Sequence, residues 1–138
     1  MKYLLDTNVL SETTKSQPNK NVLNWFANTL DTDMYISVIT IGEIVQGIEK
    51  LSDEAKQKKL SVWLNNIINY GFNGRVANID VDIMTTWGKL QAKLSRTLPI
   101  QDSLIAATAL THNMTVATRN VKDFEGISNL KVINPWEY

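Results

Sequence analysis

The chain has 138 residues, enough for a real buried core, and it reads as a single domain over residues 1–138. Cysteine is absent, which excludes a disulfide framework, a thiolate metal site and a cysteine nucleophile. The 14 basic and 14 acidic residues cancel, which argues against a general nucleic-acid coat, and no apolar run reaches the roughly 20 residues of a membrane helix. With one Lys ahead of Asp6 no signal peptide is expected either, so the expected setting is the cytoplasm, away from membranes.

Taken in order, Tyr3-Leu4-Leu5 is continuously apolar and runs into Asp6-Thr7-Asn8. That is the pattern of a strand buried on both faces of a parallel sheet, with a carboxylate where it emerges. Val9 to Lys20 predicts a short helix and a loop. Asn21 to Thr29 follows with Val22, Leu23, Trp25 and Phe26 on one helical face. Met34–Ile39 is β-branched and aromatic and predicts a second strand. Thr40 then opens a helix to about Leu51, with Ile44, Val45 and Ile48 inward. Ser52 to Tyr70 predicts a long amphipathic helix. It buries Leu60, Trp63, Leu64, Ile67 and Ile68 and leaves Lys56, Lys58 and Lys59 in water.

Arg75–Ile79 predicts a third strand. Asp80 or Asp82 caps the next helix, which turns Met84, Trp87, Leu90 and Leu94 inward. Ile100–Asn113 is apolar nearly all round, as for a helix packed on a sheet. Thr115–Thr118 is a fourth buried strand, Arg119–Phe124 a loop or helical turn, and Lys131–Ile133 an edge strand. Strands alternating with helices predict an α/β fold, a three-layer α/β/α sandwich around a short parallel sheet.

Four acids stand just after strands or at the mouths of helices: Asp6, Glu43, Asp102 and Asp123. Each has a plain structural explanation. Asp6 can cap a helix, Thr40 and Glu43 fit a capping box, Asp102 suits a first helical turn, and Asp123 suits a surface turn. Jointly they mean more, because a parallel sheet brings the ends of strands one, two and four to one edge. Carboxylates gathered there raise one another's pKa unless a cation lies among them. All-oxygen donors, with no Cys and a single His, favour Mg²⁺ or Mn²⁺. Such an ion activates water and neutralises charge on a phosphoryl group.

Thr7, Asn8, Ser103, Thr118 and Asn120 are candidates to orient these carboxylates or hold waters. With four acids withdrawn into a metal site the remainder is 14 basic to 10 acidic, so a polyanionic substrate is compatible with the neutral total. Lys15, Lys89, Lys93, Arg96 and Arg119 are candidates to grip phosphates, Arg119 and Arg96 foremost. His112 reads as a residue of a helix's last turn. The four Trp are spaced like core members, with Trp136 as a closing plug. Trp25, Phe26, Trp63 and the Ile67–Ile68 pair exceed what one small core needs, so part of that surface is expected to meet another chain.

Leu4 to Glu12 (L-L-D-T-N-V-L-S-E), Ile39 to Ile48, Asp102 to Leu110, Val116 to Phe124 and the late N-P-W together resemble the PIN-domain ribonucleases. The resemblance is to the toxin halves of VapBC-type pairs and their FitB-like relatives. It runs in motif order from residue 2 to residue 136. The resemblance implies a metal-dependent endoribonuclease toxin with Asp6, Glu43 and Asp102 in an acidic pocket. Relatives differ over whether the fourth acid follows the T-R pair directly, where this chain has Asn120, or three residues later, at Asp123. Asp123 is taken as the charged member and Asn120 as a polar helper. The family also implies homodimers, RNA as substrate, and a cognate antitoxin through which DNA is met only indirectly. Two other readings are an aspartyl-phosphate phosphotransferase with Asp6 as nucleophile and a non-catalytic binding module. The first lacks a second acid at Asn8, and the second gives no reason to gather the acids.

Overall fold

A computed structural model describes residues 1–138. Five short strands make one all-parallel sheet: β1 (Tyr3–Leu5), β2 (Met34–Ser37), β3 (Val76–Ala77), β4 (Thr115–Ala117) and β5 (Val132–Ile133). Their order is β3-β2-β1-β4-β5, so β1 is central. Six helices fill the crossovers: α1 (Thr7–Glu12), α2 (Lys20–Ala27), α3 (Val38–Glu49), α4 (Glu54–Asn66), α5 (Val81–Lys93) and α6 (Ile100–His112).

Alternation along the strands sorts the core into two layers. Leu5, Met34, Ile36 and Ala117 point to the side covered by α1 to α4, where Val9, Trp25, Ile44, Ile48 and Leu64 meet them. Leu4 and Val116 point the other way, onto Leu90 of α5 and Ile105, Ala106 and Ala109 of α6. Because both faces are covered, neighbouring strand residues such as Leu4 and Leu5 are both fully buried. Each is worth roughly 1.5–3 kcal/mol of apolar transfer. The run of alanines lets α6 lie close to the sheet. The helix ends at Asn113, which takes the left-handed conformation (φ 54°) while Met114 N–H closes back on Ala109 O at 2.8 Å.

Several expectations are corrected by the fold. Val38 and Ile39 belong to α3 rather than to strand two, because Ser37 is the helix cap and accepts Ile39 N–H at 3.0 Å. Strand three shortens to Val76–Ala77. The predicted Ser52–Tyr70 helix is α4 followed by a wide π-type turn over Ile67–Gly71. Leu23, Val45 and Met84 are exposed. Each lies about 100° around its helix from a buried neighbour, Val22, Ile44 or Ile83 respectively, which takes the inward position instead. Trp25 is core, in edge contact with Tyr3 and Phe26, and is not free to meet another chain. No helix is long and apolar enough to cross a membrane.

Candidate active site

Register places the site. β1 pairs with β2 through Leu4↔Tyr35 and with β4 through Leu5↔Ala117. Carried forward along the strands, those pairings set Ser37, Asp6 and Thr118 side by side at the carboxyl edge, on the face toward α6. All three are buried, which is unusual company for a carboxylate and demands hydrogen bonds.

Asp6 has them. Its Oδ2 accepts from Thr118 Oγ1 at 2.8 Å and from Asn8 Nδ2 at 3.3 Å. Its Oδ1 accepts from Thr7 N–H at 2.9 Å, so the residue also caps α1. Thr118 is the hub: its oxygen also accepts from Asn120 N–H at 3.0 Å and from Asn8 Nδ2 at 3.3 Å. Capping and function are thus compatible in Asp6, since a carboxylate oxygen has lone pairs to spare.

Glu43 reaches the same pocket from α3. With Ser37 as the cap, the helix begins too early for Thr40 and Glu43 to form a capping box. Glu43 lies in the second turn, where its Oε1 accepts from Thr7 Oγ1 at 3.1 Å. Burial, followed by the charge of Asp6, holds its pKa above the ordinary value of 4.5 against the lowering effect of the Thr7 bond. Thr40 is left fully buried with its hydroxyl unpartnered.

Asp102 enters from the first turn of α6, and Asp123 from a 3-10 turn over Val121–Phe124. Burial pushes the Asp102 carboxyl up to about 6, and the charges of Asp6, Asp123 and Glu43 add to the shift while Arg96 opposes it. The four acids therefore share one electrostatic pocket. The only ion pair in the chain within 4.0 Å is Lys15–Glu12, so none of the four is neutralised by a salt bridge.

The remaining expected site residues divide. Thr7, Asn8 and Thr118 hold carboxylates directly. Asn120 contributes its backbone N–H, not its side chain. Ser103 is a correction. Its hydroxyl donates to Ile100 O at 2.7 Å and accepts Trp87 Nε1–H at 2.8 Å, so it ties α5 to α6 and touches no acid. Arg96 is turned inward on the protein: Nη2 donates to Asp123 O (3.0 Å) and Glu125 O (2.8 Å), bracketing the turn that carries the fourth acid. As one of the basic residues near the site it was expected to grip phosphate, but its bracket across 27 residues has no local signal. His112 lies at the opposite edge of the sheet, beside Lys2, Tyr35 and Met114.

No three Asp, Glu, His or Cys side chains are arranged to hold one metal ion among them. The donor chemistry still suits Mg²⁺ or Mn²⁺, which keep several waters and bind through one or two carboxylates. Asp6 is buried and Asp102 half-buried, and the charge of Asp6 is felt at Asp102. An ion bound here would rest on a few of these carboxylates and keep its waters, since no closed protein cage is present.

The PIN domain family model matches residues 3–129. The chain belongs to the PIN-domain family. Within it, this PIN domain is 38% identical to "Plasmid stability protein StbB" of Pseudomonas syringae pv. tomato, over 97% of this chain and 98% of the relative. It is 35% identical to "VapC ribonuclease Y4jK" of Sinorhizobium fredii, over 97% of each chain. It is 34% identical to "Toxin FitB" of Neisseria gonorrhoeae, over 96% of this chain and 97% of that one. A chain in the crystal structure of FitAcB from Neisseria gonorrhoeae superposes with a TM-score of 0.91 at 33% identity, covering 99% of both. The expected fold and the VapC- and FitB-like membership therefore both hold.

Proposed function

We propose that this PIN domain is an Mg²⁺- or Mn²⁺-dependent endoribonuclease and the toxin half of a type II toxin–antitoxin pair. One observation carries the reading. Asp6, Glu43, Asp102 and Asp123 arrive from four separate elements at one sheet edge, are crowded enough to raise the protonation of Asp102, and have no salt-bridge partner. A fold that gathers uncompensated carboxylates incurs a standing electrostatic cost, and a bound cation is what removes it. Asp6 and Asp102 would hold the ion, oriented by Thr118, Asn8 and Thr7. When bound, the ion neutralises charge on the scissile phosphate and makes a nearby water more acidic.

The chain's own residues do the rest. Glu43 and Asp123, whose charges are both felt at Asp102, would accept the proton that water gives up as its oxygen bonds to phosphorus, while the departing ribose oxygen takes a proton from solvent. Arg119, whose guanidinium has no hydrogen-bond or ion-pair partner in the protein, would bind an adjacent phosphate. Membership among relatives named as toxin and ribonuclease supports RNA as the substrate, a cognate antitoxin as partner and a cytoplasmic setting, with DNA met only through the antitoxin. A homodimer is supported by the half-buried Trp63, Ile67 and Ile68 beside exposed Val62 and Tyr70.

The test is cleavage of RNA by purified protein with Mg²⁺ or Mn²⁺ against EDTA. Asp6→Asn and Asp102→Asn, each shown by circular dichroism to be folded, should lose metal-dependent cleavage. Full activity in either folded variant overturns the assignment.

A further inference from the structure

The chain has three arginines, and two are consumed by the protein. Arg75 donates to the carbonyls of Asp31, Met34 and Gly71, and Arg96 to those of Asp123 and Glu125. Arg119 differs. Only its backbone is bonded, N–H to Asn8 Oδ1 at 3.1 Å, and its guanidinium makes no hydrogen bond or ion pair with the protein. Glu12, the nearby acid that feels its charge, is already occupied by Lys15 Nζ at 2.8 Å and by Asn19 N–H at 2.9 Å.

The guanidinium is nonetheless held. Its carbon lies 5.2 Å from the centroid of the Trp136 ring, within cation–π range. Trp136 is itself fixed on three sides. Asn134 Oδ1 accepts its backbone N–H at 2.9 Å, Asn21 Nδ2 donates to its backbone carbonyl at 2.7 Å, and the ring packs against the α1–α4 core layer. The face of an aromatic ring restrains a guanidinium without using its N–H donors, so the planar fork stays open for a phosphate. Arg119 also lines a groove of about 630 Å³ with Asn120, Lys122 and Asp123, the last of the four site acids, and with Glu125 and Glu137.

We propose that Trp136 is a positioning residue for substrate binding. It pre-orders Arg119 as the anchor for an RNA phosphate next to the scissile one. The inference rests on the nuclease reading and adds to it that the C-terminal Pro135–Glu137 turn is part of the substrate-binding apparatus. Trp136 therefore acts beyond the plug its sequence position suggests. Pre-ordering raises affinity by reducing what must be immobilised on binding.

The test measures binding of a fluorescein-labelled, random-sequence single-stranded RNA across a salt series, with EDTA present to prevent cleavage. Arg119→Ala should weaken binding and make the log–log salt slope shallower by about 0.7, one phosphate contact on a single strand. Trp136→Leu, which keeps apolar bulk but has no ring face, should weaken binding roughly three- to tenfold, and Trp136→Phe should restore most of it. In the Arg119→Ala background Trp136→Leu should have no further effect, an outcome that a purely structural role for Trp136 would not produce. Arg119→Lys, which leaves Trp136 in place, should bind less tightly than wild type with an unchanged salt slope. Wild-type affinity in folded Trp136→Leu, additive losses in the double variant, or Arg119→Lys binding as wild type does would each overturn the inference while leaving the nuclease reading intact. A wild-type protein that binds no RNA in this assay would likewise overturn the inference, while the nuclease reading stands or falls on metal-dependent cleavage.

Discussion

Asp102→Asn should stabilise the metal-free protein while removing its response to metal. The wild-type carboxyl is raised from 3.8 to about 6 by burial and by its three acidic neighbours. A raised acid favours the protonated form in the fold. The folded state is therefore penalised as pH climbs above 3.8, and the penalty is complete above about 6. A rise of that size corresponds to about 3 kcal/mol. Asp102 is only half-buried, so solvent screening reduces the figure to roughly 1 kcal/mol. For a domain of this length that is a gain of about 3–4 °C in Tm for the asparagine variant in EDTA at neutral pH. The gain should vanish by about pH 4. Added Mg²⁺ or Mn²⁺ should reverse the order, since an ion at a hundredfold excess over its Kd stabilises wild type by about 2.7 kcal/mol and the variant by much less. Thermal melts followed by circular dichroism, with and without metal at each pH, decide the matter. A variant less stable than wild type in EDTA at neutral pH, or one that gains as much from metal, would refute the reasoning.

Two other substitutions test the supporting structure. Thr118→Val keeps the shape of the hub but removes the 2.8 Å donor to Asp6 and the acceptor for Asn120 N–H. It should cost roughly 1–3 kcal/mol in urea unfolding and lower cleavage, with Thr118→Ser recovering both. Glu12 is held below its ordinary value of 4.5 by the Lys15 bond first and the Asn19 N–H second. Its stabilisation is present above pH 4.5 and fades as pH falls through the lowered value, so urea midpoints of Glu12→Gln should fall less steeply in acid than those of wild type. Superimposable acid limbs would show that Glu12 contributes nothing there.

Residues such as Tyr3-Leu4-Leu5-Asp6 carried their structure openly, because a continuous apolar run followed by a carboxylate has few uses other than a buried strand with a polar edge. The alternation of such runs with helical periods was enough for the parallel sandwich, and motif order was enough for the family. Element ends were less legible. The boundary between β2 and α3 moved by two residues: Ser37 is the one capping residue type in Met34–Ile39, but the apolar, β-branched Val38 and Ile39 after it read as a continuation of the strand. Leu23, Val45 and Met84 misled for a related reason: adjacent apolar residues leave the inward direction open by about 100°, and packing chooses between them.

By itself, then, the sequence determined which acids, strands and helices exist and in what order, since local periodicity and charge are properties of short segments. Only the tertiary structure decided what each polar side chain does. Thr118 bonds Asp6 across 112 residues, Ser103 turns to Trp87 instead of an acid, Arg96 grips a backbone turn, and Arg119 rests on Trp136 with its donors free. The physical reason is that a hydrogen bond is settled by where two groups meet in space. In a parallel sheet, whose neighbours are joined by long crossovers, that meeting is set by register and packing and leaves no trace in local sequence.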